Sequence, residues 1–328
     1  MAHGLLDTAR PFLYVGGDEW KPGGRPGGGS GVRRRRQPIR AALAFQGIRA
    51  ALGVGRSLPR PVALRLFGAG GELVGLVERR GRERARLNLR LVYGADGSAG
   101  RLARLVYRDL GRNAADLARL ETMKGDELAG LVDVEGYEYL EEGLRSGRGV
   151  IGITAHLGNW ELLAAYLGRR GVPLHALASR LFDPRLDERL IRLRSRHGVS
   201  SIFRSDSGWV RSAVRVLRRG AMLGVLMDLR CKREGVLTDF LGMPARTVIG
   251  PALLAARTGA VIVPMGCWMA GGGRYRIVIE RPIDRVGGGV HRSPEECTRE
   301  CVKALESFIR EAPTQWVWMH DRWDFGSV

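Results

Sequence analysis

Cysteine is scarce in this chain: 328 residues contain four, Cys231, Cys267, Cys297 and Cys301. None forms a CxxC pair or stands at zinc-ligand spacing from a histidine, so no zinc module is expected. Cys297 and Cys301, four apart on the stripe of Leu305, Phe308 and Ile309, read as small buried residues in a reducing compartment. The six histidines are scattered without HExxH or HxH, so no metal is expected. No apolar run approaches the ~20 residues of a membrane-spanning helix. The longest uncharged run, 258–273, holds Pro264 and several glycines and reads as a buried strand with turns. The first residues carry Asp7, Arg10 and glycines, so no secretory leader is expected. Acidic residues are also few, 34 against 53 Lys+Arg, for a formal net charge of +19 carried almost wholly by arginine. Such an excess calls for an anionic partner: nucleic acid, an acidic membrane or a phosphorylated substrate. There is no aromatic RNA-binding pattern and no clear helix-turn-helix, so nucleic acid is not expected.

Three regions differ in composition. Residues 1–38, Gly-rich and closed by Arg33–Arg36, are expected to be a disordered basic segment able to dock on anionic lipid. Residues 39–145 have helical apolar content, broken by glycines in 39–55 and 61–77, and read as an N-terminal helical region with possible membrane-surface attachment. Residues 146–328 alternate. Apolar runs at 149–155, 174–179, 199–203, 222–227, 260–265 and 275–279 read as strands, with helices between them. Asp183 before Pro184 and the box Ser293-Pro294-Glu295-Glu296 mark two helix starts. The expected fold class is α/β: a three-layer α/β/α core with a mixed, mostly parallel sheet and an N-terminal helical region.

The chemistry concentrates in Thr154-Ala-His156-Leu-Gly-Asn159-Trp160-Glu161. An apolar strand ends at Ala155 and a helix begins near Asn159, so His156 lies in the strand-to-helix loop with Glu161 in the first turns. Across such a loop the two side chains can face each other. Histidine can accept a hydroxyl proton near neutral pH, and a carboxylate on its other nitrogen would fix the tautomer. On spacing alone, a core histidine bridged to Glu161 competes with this reading.

The run around His156 resembles the glycerolipid acyltransferase superfamily, and within it the bacterial lipid A biosynthesis (lauroyl/myristoyl) acyltransferases. Ordered blocks extend the likeness over roughly residues 60–325: Ala178-Ser-Arg180, Arg194-x-Arg196-x-Gly198, Met227-Asp228, Asp239-Phe240-Leu-Gly242-Met-Pro244-Ala-Arg246-Thr247, and Pro313 to Trp323 with its tryptophans. Leu229 stands where the family has glutamine, and the usual N-terminal membrane helix has no counterpart.

The resemblance implies an enzyme. His156 would activate a lipid hydroxyl for attack on the thioester of an acyl carrier protein or coenzyme A, with Glu161 as its partner and no cofactor. Arg180 would stabilise the oxyanion or hold a phosphate, and Arg246 would contact phosphate. Asn159 would stand where substrate enters, and Asp228 would orient an active-site arginine. Phe240, Gly242 and Thr247 would line the site. The implied acceptor is a phosphorylated glycolipid such as a lipid A precursor, met on the anionic cytoplasmic face of the inner membrane by a peripheral protein. Other acceptors, a phosphatidylinositol mannoside or an ornithine- or glycine-type lipid, stay open, as does an inactive basic lipid- or nucleic-acid-binding protein. His156→Ala and Glu161→Ala are both expected to leave folding intact and to lose most transfer.

Overall fold

The computed structural model describes residues 45–94, 97–181, 183–231, 235–283, 286–287 and 290–323; the basic segment 1–38 lies outside the described residues. Helices come first: 45–57 (α1), Arg60–Val77 (α2), Arg79–Tyr93 (α3) and Ser98–Leu120 (α4). The glycines that interrupt the apolar pattern of 61–77 do not break α2. They let it cross α4 with the two backbones in contact. A Cβ on Gly71 would stand 2.1 Å from the Tyr107 carbonyl oxygen, and one on Gly111 would stand 2.0 Å from that of Phe67. Arg60 then clamps the α2–α4 pair. Its Nε and Nη2 each donate to Asp116 at 2.8 Å, and the Tyr275 hydroxyl donates to the same carboxylate at 2.9 Å.

Gly125–Gly130 (α5), Val132–Glu135 (β1) and Tyr137–Arg145 (α6) follow. β1 corrects the reading of 39–145 as a helical region throughout. Its Val-Asp-Val-Glu alternates buried and exposed positions, and it joins the sheet edge in parallel beside Tyr275–Ile279 (β9).

The α/β unit runs Val150–Thr154 (β2), Trp160–Arg169 (α7), Leu174–Ala178 (β3), Pro184–Arg196 (α8), Ser200–Phe203 (β4), Trp209–Arg218 (α9) and Met222–Leu226 (β5). A hairpin, Val236–Phe240 (β6) with Met243–Thr247 (β7), leads into Gly250–Thr258 (α10), Val261–Met269 (β8) and β9. The short pair Val286–Gly287 and Val290–His291 precedes Pro294–Glu311 (α11). Both expected helix starts are present: Asp183 accepts from the Arg185 N–H at 2.9 Å, and Ser293 with Glu296 closes a capping box.

The seven-stranded sheet is ordered β1-β9-β8-β2-β5-β3-β4, and every pair is parallel except β8 with β9. All five residues of β2 are buried, as a central parallel strand covered on both faces requires. Ile151, Ile153, Leu223 and Val225 pack with α9, α10 and α11, while Val150, Met222 and Val263 pack with the helices of the opposite face. Three layers result. β2 leads to β3 on one side, whereas β5 crosses back over β2 to β8. The C-terminal ends of β2 and β5 thus flank a switch point, where sites in such sheets form.

Gly111→Ala tests the helix crossing. In a helix interior that exchange ordinarily gains about 1 kcal/mol. Here the added methyl meets the Phe67 backbone. Denaturant unfolding is expected to show a net loss of about 1–3 kcal/mol from overpacking. A gain would show that the crossing is looser than described.

Candidate active site

β2 and β5 pair in register from Val150↔Met222 to Thr154↔Leu226. Continuing that register two residues past each strand places His156 opposite Asp228, and there the side chains meet. His156 Nδ1 lies 2.8 Å from Asp228 Oδ1, while the His156 backbone N–H donates to Oδ2 at 2.9 Å. Trp316 Nε1–H donates to the same Oδ2 at 2.7 Å. Asp228 is wholly buried. Burial alone would raise its pKa, but the His156 charge and hydrogen bonds, with the Trp316 indole, hold the carboxyl below its ordinary value. An ionised carboxylate can only accept, so the proton between the pair sits on Nδ1 and the lone pair on Nε2. This is the geometry of an oriented general base.

Glu161 is not its partner. Its carboxylate is taken by Arg194, whose Nε and Nη2 donate to Oε2 and Oε1 at 2.9 and 2.6 Å, with both side chains buried. Glu161 lies in the first turn of α7 and Arg194 in the last turn of α8, so the pair bolts together two helices of one layer. The expected His156–Glu161 contact is replaced because β5, adjacent to β2, brings a carboxylate to His156 from its own C-terminal end.

The loop that carries His156 is clamped along its backbone. Gly158 adopts φ 54° with its Cα against β8, where a Cβ would stand 2.2 Å from the Cys267 carbonyl oxygen. Its N–H donates to the Gln315 carbonyl at 2.9 Å, and its carbonyl accepts from Asn113 Nδ2 of α4 at 2.8 Å. Asn159, expected at the substrate entrance, is instead the N-cap of α7; its Oδ1 accepts the Leu162 N–H at 3.0 Å. The Trp160 ring meets His156 edge-on at 5.1 Å, and His320 stands 6.3 Å away on the C-terminal segment. Burial, and next the His156 charge, push the His320 imidazole from 6.5 down to about 4, so it is neutral at physiological pH.

The block Asp239–Thr247 is a hairpin rather than a loop lining the site. Gly242 sits in its turn, with its N–H donating to Asp239 at 2.8 Å. Phe240 is buried against Trp316 and Trp323, at 5.6 and 6.1 Å between ring centres, and so supports the tryptophan that holds Asp228. Thr247 Oγ1 binds Thr238 Oγ1 at 2.8 Å and accepts from Arg322 Nη2 at 2.5 Å. The Arg246 side chain is exposed and reaches the Gly235 carbonyl at 3.3 Å, while its carbonyl accepts from Arg322 at 2.8 Å. Asp228 orients a histidine, not the expected arginine. Arg180, beyond the end of β3, is exposed, stacked 3.7 Å over Phe203 and paired with Asp206 at 3.2 Å. It stands on the rim of the C-terminal edge, with Phe203 and Asp206 as its partners.

Trp316 carried no sequence signal that marked it as a partner of Asp228. It is fully buried, as are Trp318 and Trp323, but its indole N–H also completes the Asp228 shell. Asp228 carried a usable signal: like His156, it stands just past an apolar strand. Among the described residues, no group of three or more His, Cys, Asp or Glu side chains gathers as a metal site.

Two predictions follow from these surroundings. Glu161→Ala leaves the Arg194 guanidinium buried and unpaired, which costs about 3–5 kcal/mol of unfolding free energy in a denaturant titration. This reverses the expectation that folding would be untouched, and an unchanged midpoint would show the ion pair to be absent. The second concerns pH. His320 titrates near 6.5 when unfolded and at about 4 when folded, so as pH falls between these values the unfolded chain takes up the proton first. Stability from the neutral ring is complete above 6.5 and lost toward 4. His175 and His197, both lowered by burial, act in the same sense. The urea midpoint is expected to drop from about pH 7 to about pH 5, and to drop less in His320→Gln.

Comparison with known proteins gives the family. A 28% identical relative over 276 residues, spanning 82% of this chain and 84% of that protein, is the phosphatidylinositol mannoside acyltransferase of Mycobacterium tuberculosis. The phosphatidylinositol mannoside acyltransferase of Mycolicibacterium smegmatis is 26% identical over 294 residues, 88% of this chain and 94% of its own length. A lipid A biosynthesis acyltransferase of Haemophilus influenzae is 26% identical over 188 residues, 56% of each chain. The model of the bacterial lipid A biosynthesis acyltransferases matches residues 32–324, and with the ordered blocks and the His156 loop at the switch point it places this chain in that family of acyl-transferring enzymes.

Proposed function

We propose that the chain transfers a fatty acyl group from a thioester donor, acyl carrier protein or coenzyme A, to a hydroxyl of a phosphorylated glycolipid. The observation that carries this reading is the His156–Asp228 pair. The mechanism we infer begins with His156 Nε2 taking the proton of the acceptor hydroxyl. The oxygen attacks the thioester carbonyl, and the tetrahedral intermediate collapses as the C–S bond breaks. The imidazolium, stabilised by Asp228, returns its proton to the departing sulfur. No acyl-enzyme is required. Cys267, whose carbonyl meets the His156 loop, keeps its thiol protonated because burial pushes the pKa up.

Within phosphorylated glycolipids the reading favours a mannosylated phosphoinositide. The relatives named for that lipid span 82% and 88% of this chain, against 56% for the one named for lipid A biosynthesis. A lipid A precursor, first in the sequence reading, is the second candidate. Arg180, exposed on the rim above Phe203, and the exposed Arg246 suit a headgroup phosphate better than the oxyanion.

The acceptor is met at an anionic membrane, on this reading through α2 and α3. No helix among the described residues is long and apolar enough to cross a bilayer. Yet Val62, Leu66, Leu73 and Val77, spaced along one face of α2, are all exposed, and Leu76, Leu87 and Leu91 extend the apolar surface. Arg65, Arg79, Arg80 and Arg90 stand exposed on the same two helices. An apolar face with arginines beside it fits the interface of an anionic leaflet.

His156→Ala is expected to lower acyl transfer roughly 10²–10⁴-fold with the fold retained, measured with radiolabelled thioester and purified phosphatidylinositol mannoside. Full activity in that variant would remove His156 from the mechanism. Leu66→Asp with Leu73→Asp is expected to abolish sedimentation with vesicles of phosphatidylcholine and phosphatidylglycerol. Unchanged sedimentation would place the docking surface elsewhere.

A further inference from the structure

Beside the sheet edge formed by β4, α1 lies along α8. The ring of Phe45 sits under Arg185 at 4.1 Å near the start of α8, and Arg56 of α1 reaches Glu121, just past α4, at 2.7 Å. Between these elements is a recess of about 310 Å³ walled by Arg49, Arg56, Arg189, Arg192 and Arg196, with Glu121 on its floor. It lies toward the C-terminal half of α8, at the N-terminal edge of β4, whereas His156 and Asp228 stand at the C-terminal ends of their strands.

The charges in this recess do not balance. Glu121 serves two of the five guanidiniums: Arg56, and Arg189, which donates Nη2 to Oε2 at 2.7 Å. Among the described residues, Arg196 reaches the Glu121 backbone carbonyl, at 2.8 Å, and no carboxylate. Arg192 approaches Glu188 no closer than 3.7 Å across one helical turn, and both side chains are mostly exposed. Arg49 forms no ion pair with any described residue. Five cations thus converge on one concavity with two carboxylates in reach. Like charges so placed repel, and the arrangement is relieved by an anion seated among them.

The geometry points to a binding site for a phosphate-bearing ligand in this recess, separate from the acyl-transfer centre. Guanidinium groups present paired N–H donors that match two phosphate oxygens at once, and several forks facing one cavity can surround a single phosphate. A second recess of about 460 Å³ continues from the first past Glu121 and Arg196 and adds Lys124 and Arg169, leaving room for the rest of a larger molecule. The phosphate can come from a free phosphorylated solute or from a lipid headgroup. The site does not depend on the acyl-transfer reading, and binding alone tests it.

The test uses the full chain and the double variant Arg49→Gln/Arg192→Gln. These two guanidiniums hold no buried partner, so the fold is expected to survive, and a wild-type thermal transition verifies that it has. In one arm, inorganic phosphate and pyrophosphate are titrated by calorimetry at low ionic strength. In the other, sedimentation is measured with phosphatidylcholine vesicles with and without phosphatidylinositol 4-phosphate. Wild type is expected to bind phosphate or pyrophosphate saturably, with affinity about tenfold weaker in the variant. A variant-sensitive gain with the phosphoinositide vesicles assigns the ligand to a headgroup. Binding in the soluble arm alone assigns it to a free phosphate. If wild type binds in neither arm, or the variant binds as wild type does, the proposal is overturned.

Discussion

The Asp228 carboxylate accepts three N–H groups in the interior of the protein: the His156 backbone, the His156 ring and the Trp316 indole. A buried carboxylate without such donors would be costly, and with them it joins three separate stretches of chain. It fixes the end of β2 to the end of β5, holds the C-terminal tryptophans over the junction, and sets the His156 ring with Nε2 available. The hairpin β6–β7 belongs to the same assembly, since Phe240 packs on Trp316 and Trp323 while the buried Arg322 lies over Phe240 and donates to Thr247. Residues that resemble a substrate-lining block in the sequence therefore act one layer behind the chemistry.

The helical region is tied to this centre by polar side chains rather than by apolar packing alone. Asn113 of α4 holds the Gly158 carbonyl, and Asn88 of α3 donates to the Trp318 and His320 carbonyls at 2.8 and 2.9 Å. Arg60, Asp116 and Tyr275 link the start of α2 to β9. The helices bearing the exposed apolar surface and the loop bearing His156 thus form one connected structure. On the proposed function, an acceptor bound against α2 would meet helices already joined to the His156 loop.

Much of the fold was legible because its signals are local. Buried parallel strands show as short apolar runs, and Asp183-Pro184 and Ser293–Glu296 mark helix starts through caps that the structure forms. The strand β1 was missed because four residues with two acids carry little apolar signal, and only pairing with β9 stabilises them. The hairpin was missed because its arms are short and carry polar residues; only the pairing of Val236 with Thr247 through Phe240 with Met243, and the Thr238–Thr247 hydroxyl contact, shows them as strands. His156 was singled out from its loop. Its partner was misassigned because proximity in sequence favoured Glu161, whereas strand order decides which carboxylate arrives. That order is non-local: β5 lies beside β2 although 67 residues (155–221) stand between Thr154 and Met222, where β5 begins. Glu161 was equally unreadable, since Arg194 reaches it from another helix.

The central claim, that Asp228 and not Glu161 holds the His156 ring, can be read directly from the proton it fixes. A proton on Nδ1 hydrogen-bonded to a buried carboxylate resonates far downfield in the NMR spectrum, and its disappearance in His156→Ala assigns it. The structure predicts that this resonance persists in Glu161→Gln and is lost in Asp228→Asn. Persistence in Asp228→Asn with loss in Glu161→Gln would contradict the account.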